Sequence, residues 1–288
     1  MSVEKGLDAF LEAMLGKNRS SATLRAYRTD MGQFLTFLKE TNVAITEPGD
    51  VGKVDVLAYF ASLARKGLTG VARARKISAI REYFRFLEGV GMIHKSPTTG
   101  IDTSKREKNT RQFLRSDAYT KMLSLAGANP RDYAILQVFL QTGIRVSELA
   151  NLRLEDVDFV KPAITVRGKG SVEREIALEK RGVQALKNYL AVRPESHACV
   201  LFLNYKGEPI SDRGIRKMVV KYRQKAGITK RASCHSLRHT FATYKAEKGV
   251  SPFQLQQWLD HANLNTTQIY VHLGKQNAKK LMEQTSLV

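Results

Sequence analysis

The stretch Ser233-Cys-His-Ser-Leu-Arg-His-Thr240 holds His235, Arg238 and His239 close together, and Leu259-Asp-His-Ala-Asn-Leu-Asn-Thr-Thr-Gln-Ile-Tyr-Val-His272 adds His261 and Tyr270. Imidazoles, a guanidinium and a phenol at these spacings suit attack on a phosphodiester. The guanidinium neutralises non-bridging oxygens and an imidazole moves protons. The phenol oxygen becomes a nucleophile once a base and nearby cations draw off its proton.

Two other chemistries compete for the same residues. His235 and His239 are four apart and could share a helical face as metal ligands, but Ser236 stands where a His-Glu-x-x-His zinc motif needs its glutamate. Residues 251–270 also have the look of a helix-turn-helix, with Leu255, Trp258 and Leu259 apolar before the turn. A non-catalytic DNA reader of that kind has no need of the cations found upstream.

The first of those cations is Arg145. A buried helix from Pro130 should stop at Gly143, and Ile144-Arg-Val-Ser-Glu-Leu then opens a new amphipathic helix. A guanidinium at such a junction is aimed with little freedom, which favours a bidentate phosphate contact. A surface cation paired with Glu148 is the plainer alternative, and Glu148 can also orient a phosphate-binding Arg145. The second is Lys169. Strand-like segments Ala163–Val166 and Arg174–Leu178 flank Arg167-Gly-Lys-Gly, so a β-hairpin should present Lys169 at or near its tip, either against a backbone or in solvent.

The elements that must position these groups are mostly helical. Ser20 or Ser21 can cap a helix over 23–38, with Leu24, Tyr27, Met31, Phe34, Leu35 and Leu38 on one face and Arg25 and Arg28 off it. A second helix spans about Val54 to Arg65. A third, Val71 to Gly89, carries Ile77, Ile80, Phe84 and Leu87 at helical spacing, and its other positions include Arg73, Arg75, Lys76 and Arg81, expected to face phosphate. Residues 97–111 are polar and without period, a tether in which Lys105, Arg106, Lys108 and Arg111 either cross DNA or stay solvated. Ser116 opens the next domain, and helices follow over Gly182–Ala191 and Ser211–Lys225. The last holds Arg213, Arg216, Lys217 and Lys221, dense enough to favour phosphate contact over solvation.

Composition narrows the partners. Lys and Arg number 47 against 27 Asp and Glu, a formal charge of +20, which favours a polyanion and salt-dependent attraction. No apolar run approaches the roughly 20 residues that span a bilayer, and the N-terminus lacks the basic-then-apolar order of a secretory signal. A cytoplasmic, nucleoid-associated protein is expected. Two cysteines, Cys199 and Cys234, are too few for a disulfide framework or a cysteine zinc site, so no metal is expected. The Gly-rich loop of a nucleotide triphosphatase is not visible either, so no cofactor is expected.

Taken in order, Arg145 in "TGIRVSEL", Lys169 in "RGKG", His235 and Arg238 in "HSLRHTFAT", His261 in "LDHANLNTTQIYVH" and Tyr270 resemble the active-site series of the tyrosine recombinases, the phage integrase and Xer family. Each motif is weak alone, and the ordered set is specific. The resemblance runs along essentially the whole chain. It departs at Asp260, where many members have glycine; the extra carboxylate either alters the charge of the site or caps the turn.

The resemblance implies a mainly α fold with a small β-sheet or hairpin in the C-terminal domain, arranged as a two-domain C-shaped DNA clamp. Its parts would be a helical, SAM-like core-binding domain over 1–104, a linker over 105–112 and a catalytic domain over 113–288 with a tail from about 274. It implies site-specific cleavage and rejoining of double-stranded DNA through a 3′-phosphotyrosine, without ATP or metal. Tyr270 would be the nucleophile, Arg145 and Arg238 the phosphate clamps, Lys169 the acid for the 5′ oxygen, His235 a proton carrier and His261 a phosphate donor, with Glu148 in support. It further implies a homotetramer on two DNA sites, open to a second recombinase or accessory protein. The tail, through Leu281, Met282, Leu287 and Val288, would pack on a neighbour or fold back in cis. The compact length favours an Xer-like or mobile-element enzyme over an integrase with an extra arm-binding domain. A topoisomerase of type IB and the non-catalytic DNA reader are the alternatives.

Overall fold

The computed structural model describes residues 3–42, 44–101, 113–168, 173–229 and 233–260. The chain divides into two compact units, Met1–Asn109 and Thr110–Val288.

Among its described residues, the first unit contains the α-helices α1 (Val3–Gly16), α2 (Ser21–Thr41), α3 (Lys53–Arg65) and α4 (Gly70–Gly89), with a short 3-10 turn at Pro48–Asp50 between α2 and α3. The Ser20 hydroxyl accepts the Thr23 N–H at 3.3 Å and so starts α2, and Thr69 caps α4 in the same way. The core is aromatic: Phe34 meets Tyr59 and Phe84 edge-on, and Phe10 meets Tyr83 edge-on. Helix α1 was not among the helices expected from sequence, although Leu7, Phe10, Leu11 and Met14 recur at helical spacing and all are buried. Gly6 lowers the helical propensity of that stretch. Packing explains the glycine, because a Cβ there would lie 2.8 Å from the Tyr83 hydroxyl.

Of the basic residues expected to face phosphate on α4, Lys76 does otherwise, and Arg75 and Arg81 have partners within the unit. Lys76 is buried, and its Nζ donates to the buried Asp30 carboxylate on α2 at 2.8 Å. It lies four residues before Ile80 and so falls on the apolar stripe, where only a buried countercharge makes an ammonium tolerable. Arg75 is half-exposed but pairs with the same Asp30, and Arg81 donates to the Ile101 carbonyl. Arg73 is partly buried, whereas Arg25 and Arg28 on α2 are exposed, with Arg28 3.9 Å from Asp8.

The second unit contains α5 (Ser116–Ala126), α6 (Pro130–Thr142), α7 (Val146–Ala150), α8 (Lys180–Leu190), α9 (Asp212–Lys225), α10 (Cys234–Glu247) and α11 (Pro252–Leu259). A three-stranded antiparallel sheet lies between α7 and α8, ordered β1 (Val157–Asp158), β2 (Ala163–Arg167), β3 (Glu173–Ala177). The short β1 was not expected from sequence. Helix α6 runs through the core with Ile135, Leu136, Val138 and Phe139 essentially sealed from solvent, between α8 and α10. In the sheet, Ile164 pairs with Ile176 and Val166 with Arg174, so Arg174 shares the inward face with Ile176.

Gly143 ends α6 in the left-handed region, φ 61°, where its N–H returns to the Phe139 carbonyl. A Cβ at this position would meet the Phe241 ring at 2.4 Å. Gly143→Ala is therefore expected to destabilise the protein by about 2–4 kcal/mol, from backbone strain plus overpacking. Denaturant melts of the two proteins measure it.

Among the described residues, no helix is long and apolar enough to cross a membrane. Cys199 is exposed and Cys234 buried, and neither is in a disulfide.

Candidate active site

Gly143 turns the chain out of α6, and Arg145 then stands in extended backbone, φ −74° and ψ 152°, as the residue that caps α7. Glu148, on the first turn of α7, accepts the Arg145 backbone N–H at 2.7 Å and the Arg145 Nη1 at 2.8 Å. One carboxylate thus fixes both ends of Arg145, backbone and guanidinium. The pairing of Arg145 with Glu148 that the sequence left open is present, and Arg145 remains partly exposed beside an open cleft of about 840 Å³. Glu148, Arg153, Asp156, Arg167 and Gly168 also line that cleft.

Arg238 arrives from α10, where Ser233 caps the helix start. It is buried, donating Nη1 to the Gly143 carbonyl at 2.9 Å and Nη2 to the Leu259 carbonyl. His235, one turn earlier on α10, is exposed, and its ring meets that of buried His239 edge-on at 4.6 Å. Among the described residues, no three His, Cys, Asp or Glu side chains gather as a metal site.

A third guanidinium was missed in the sequence. Arg174, inward on β3, forms a two-pronged pair with Glu148, at 2.8 and 3.3 Å, and donates Nε to the Trp258 carbonyl at 2.9 Å. The available signal was the alternation Arg174, Ile176, Leu178, which puts a cation on an apolar face and demands a buried acid.

The three arginines share one target. Trp258, Leu259 and Asp260 offer successive carbonyls at the end of α11, and Arg174, Arg238 and Arg145 each take one. These are the carbonyls that a helix leaves without an internal partner, at the negative end of its dipole, so cations there are doubly favoured. Helix α10 adds apolar support, with Phe241 and Ala242 packed on Leu255 and Leu259. The residue that follows this clamped end is His261. His261, Tyr270 and Lys169 lie outside the described residues, as do Lys105, Arg106, Lys108, Arg111 and the tail residues Leu281, Met282, Leu287 and Val288.

The carboxylate of Asp260 does not cap α11. Its backbone N–H closes the helix onto the Gln256 and Gln257 carbonyls, while Oδ2 accepts Arg145 Nη1 at 2.6 Å. Burial pulls the Arg145 guanidinium down, but the hydrogen bonds and charges of Glu148 and Asp260 outweigh it and hold the group above the usual arginine value. Burial likewise pushes the Glu148 carboxyl up, and donors from Arg174 and Arg145 outweigh that, keeping it below the ordinary 4.5.

A carboxyl lowered on folding stabilises the fold above its unfolded value, and that contribution is lost as pH falls through the folded value. Glu148→Gln is therefore expected to destabilise by about 3 kcal/mol near neutrality, leaving two guanidinium groups undercompensated. The gap between parent and variant should close as pH falls below 4.5. Thermal melts across that range test it.

On α9, Arg213, Arg216, Lys217 and Lys221 are all exposed, Arg216 near Asp212 and Lys221 near Asp132, each at 3.8 Å.

Residues 112–277 match the phage integrase family, and residues 7–89 match the phage integrase N-terminal SAM-like domain. The chain is 36% identical over 271 residues to a tyrosine recombinase XerC of Thermodesulfovibrio yellowstonii, covering 90% of this chain and 88% of the relative. It is 31% identical over 289 residues to a tyrosine recombinase XerD of Listeria innocua, covering 96% and 97%. The crystal structure of XerA recombinase is similar over 99% of both chains, at 29% identity and a TM-score of 0.55. A lambda integrase tetramer bound to a Holliday junction shares the fold at a TM-score of 0.78 and 18% identity, over 94% of this chain and 77% of that one. With matched domains in both units and relatives of one kind along nearly its whole length, the chain belongs to the phage integrase family and is a tyrosine recombinase of the Xer type.

Proposed function

We propose that this recombinase cleaves each strand of its double-stranded DNA site by attack of Tyr270 Oη on a backbone phosphorus. The new bond is a phosphotyrosine to the 3′ end, and the bond that breaks is that between phosphorus and the 5′ oxygen. His235 carries off the proton of the phenol, Lys169 protonates the leaving 5′ oxygen, and His261 donates a hydrogen bond to the phosphate. Arg145 and Arg238 hold the non-bridging oxygens and offset charge in the pentacoordinate transition state. Ester is exchanged for ester, so the step as written needs neither ATP nor a metal. The observation that carries the reading is the convergence of Arg145 and Arg238 on the end of α11, one residue before His261.

Rejoining to the other duplex gives recombination and, by analogy with the lambda integrase tetramer on its junction, engages four copies on two sites. Arg25, Arg28, Arg213, Arg216, Lys217 and Lys221 supply exposed charge for phosphate contacts, with Arg73, Arg75 and Arg81 less free to do so. The division of labour follows the two units, a helical DNA-holding domain before residue 105 and a catalytic domain from 113. The nucleoid is the place such a substrate is met.

A duplex nicked just beyond the scissile phosphate tests the reading, because the short 5′ product diffuses away and traps the ester. The expected result is a covalent adduct to Tyr270 with a free 5′ hydroxyl, and exchange between two sites on one plasmid. Relaxation without exchange would make the enzyme a topoisomerase, and absence of any adduct would make it a DNA binder.

A further inference from the structure

Arg145 is the partly exposed guanidinium of the site, and one residue occupies both of its terminal nitrogens. Asp260 takes Nη1 with its carboxylate at 2.6 Å and Nη2 with its carbonyl. Glu148 also touches Nη1, with a side chain that is 6% exposed against 33% for that of Asp260. The two carboxylates therefore differ in kind. Glu148 is held by Arg174 as well and anchors the guanidinium, whereas the Asp260 side chain is the more exposed of the two and the easier to displace.

Stability of α11 does not account for an acid here. Asp260 has φ 48° and ψ 53°, a left-handed conformation that a side chain adopts at a cost and that glycine adopts freely. A carboxylate at the C-terminal end of a helix also faces the negative end of the dipole. Among the described residues, the contact that offsets both is the ion pair with Arg145. A carboxylate and a phosphodiester present the same feature to a guanidinium, anionic oxygens that accept forked hydrogen bonds.

We infer that Asp260 is an internal surrogate for the scissile phosphate, which occupies Arg145 before DNA is bound and must be displaced before cleavage. The inference rests on the reading of Arg145 as a phosphate clamp. It makes Asp260 a residue that sets the rate of strand cleavage, by competition with the substrate for one guanidinium. Neutralising it removes the competitor and leaves Glu148 to hold Arg145 in place.

The test uses the full-length protein, saturating nicked duplex and single-turnover adduct formation. Asp260→Asn keeps the size and tolerates the left-handed backbone, and Asp260→Gly removes the side chain altogether. Both are expected to form adduct about three- to tenfold faster than the parent, the range set by displacing one half-exposed ion pair. In a Tyr270→Phe background, both should also bind the intact duplex more tightly by a similar factor. Glu195→Gln, the same charge change at an exposed position on another part of the unit, should move neither quantity. Adduct formation at or below the parental rate in whichever Asp260 variant melts like the parent overturns the inference, and so does an equal gain from Glu195→Gln. Absence of a Tyr270 adduct in the parent itself would instead overturn the reading of the reaction.

Discussion

In single-turnover cleavage of a nicked duplex, Arg238→Ala is expected to form the phosphotyrosine adduct about 10³-fold more slowly than the parent. Two losses combine. The first is a positive charge fixed where the surroundings, not water, must neutralise the transition state, since Arg238 is only 6% exposed. The second is the bridge from the Gly143 carbonyl to the Leu259 carbonyl, which ties the end of α6 to the end of α11. Alanine leaves both buried carbonyls short of a donor, which adds about 2–4 kcal/mol of destabilisation. Arg238→Lys restores the charge but not the planar fork, so it should remain at least about tenfold slower than the parent. DNA affinity should fall far less than rate, because many surface cations contribute to binding. If Arg238→Ala stays folded and cleaves within about threefold of the parent, Arg238 has no part in the reaction.

Tyr270→Phe removes a single oxygen and is expected to abolish the adduct while leaving DNA affinity within about twofold, because a phenyl ring packs as a phenol does. A free phenol has a pKa near about 10 and is almost wholly protonated at neutral pH, so its attack depends on the cations and base around it. The effect should be total, because the phenol oxygen is itself the atom that forms the ester. Cys234, at the start of α10, is the nearest rival by chemistry, but burial pushes its thiol up to about 11. Denaturing gels of a duplex labelled at the 5′ end of the cleaved strand, which stays joined to the protein, followed by mass spectrometry of the linked peptide, identify the residue. A persistent adduct in Tyr270→Phe would move the nucleophile to another side chain.

The sequence by itself determined what is local or ordered along the chain. Periodicity placed α2, α3, α4, α6 and α9, because a face repeats every few residues whatever the helix packs against. The Gly143 stop and the new helix opening beside Arg145 were legible for the same reason: a left-handed turn and the start of an amphipathic face are properties of a few neighbouring residues. The ordered series from Arg145 to Tyr270 was legible as a pattern of chemistry and led to the family.

Tertiary structure alone decided who neutralises whom. Asp30 and Lys76 are 46 residues apart, and nothing near Lys76 in sequence announces the buried acid that turns it from the expected DNA face into the core. Arg174 meets Trp258 across 84 residues, Arg238 meets Gly143 across 95, and Arg145 meets Asp260 across 115. The gathering of three guanidinium groups on three successive carbonyls of α11 depends on how β3, α7 and α10 approach that helix end. So does the seat of the Asp260 carboxylate on Arg145, 115 residues away. Charge and type are written in each residue, but an electrostatic pair depends on distance and burial, and those exist only once the chain has packed.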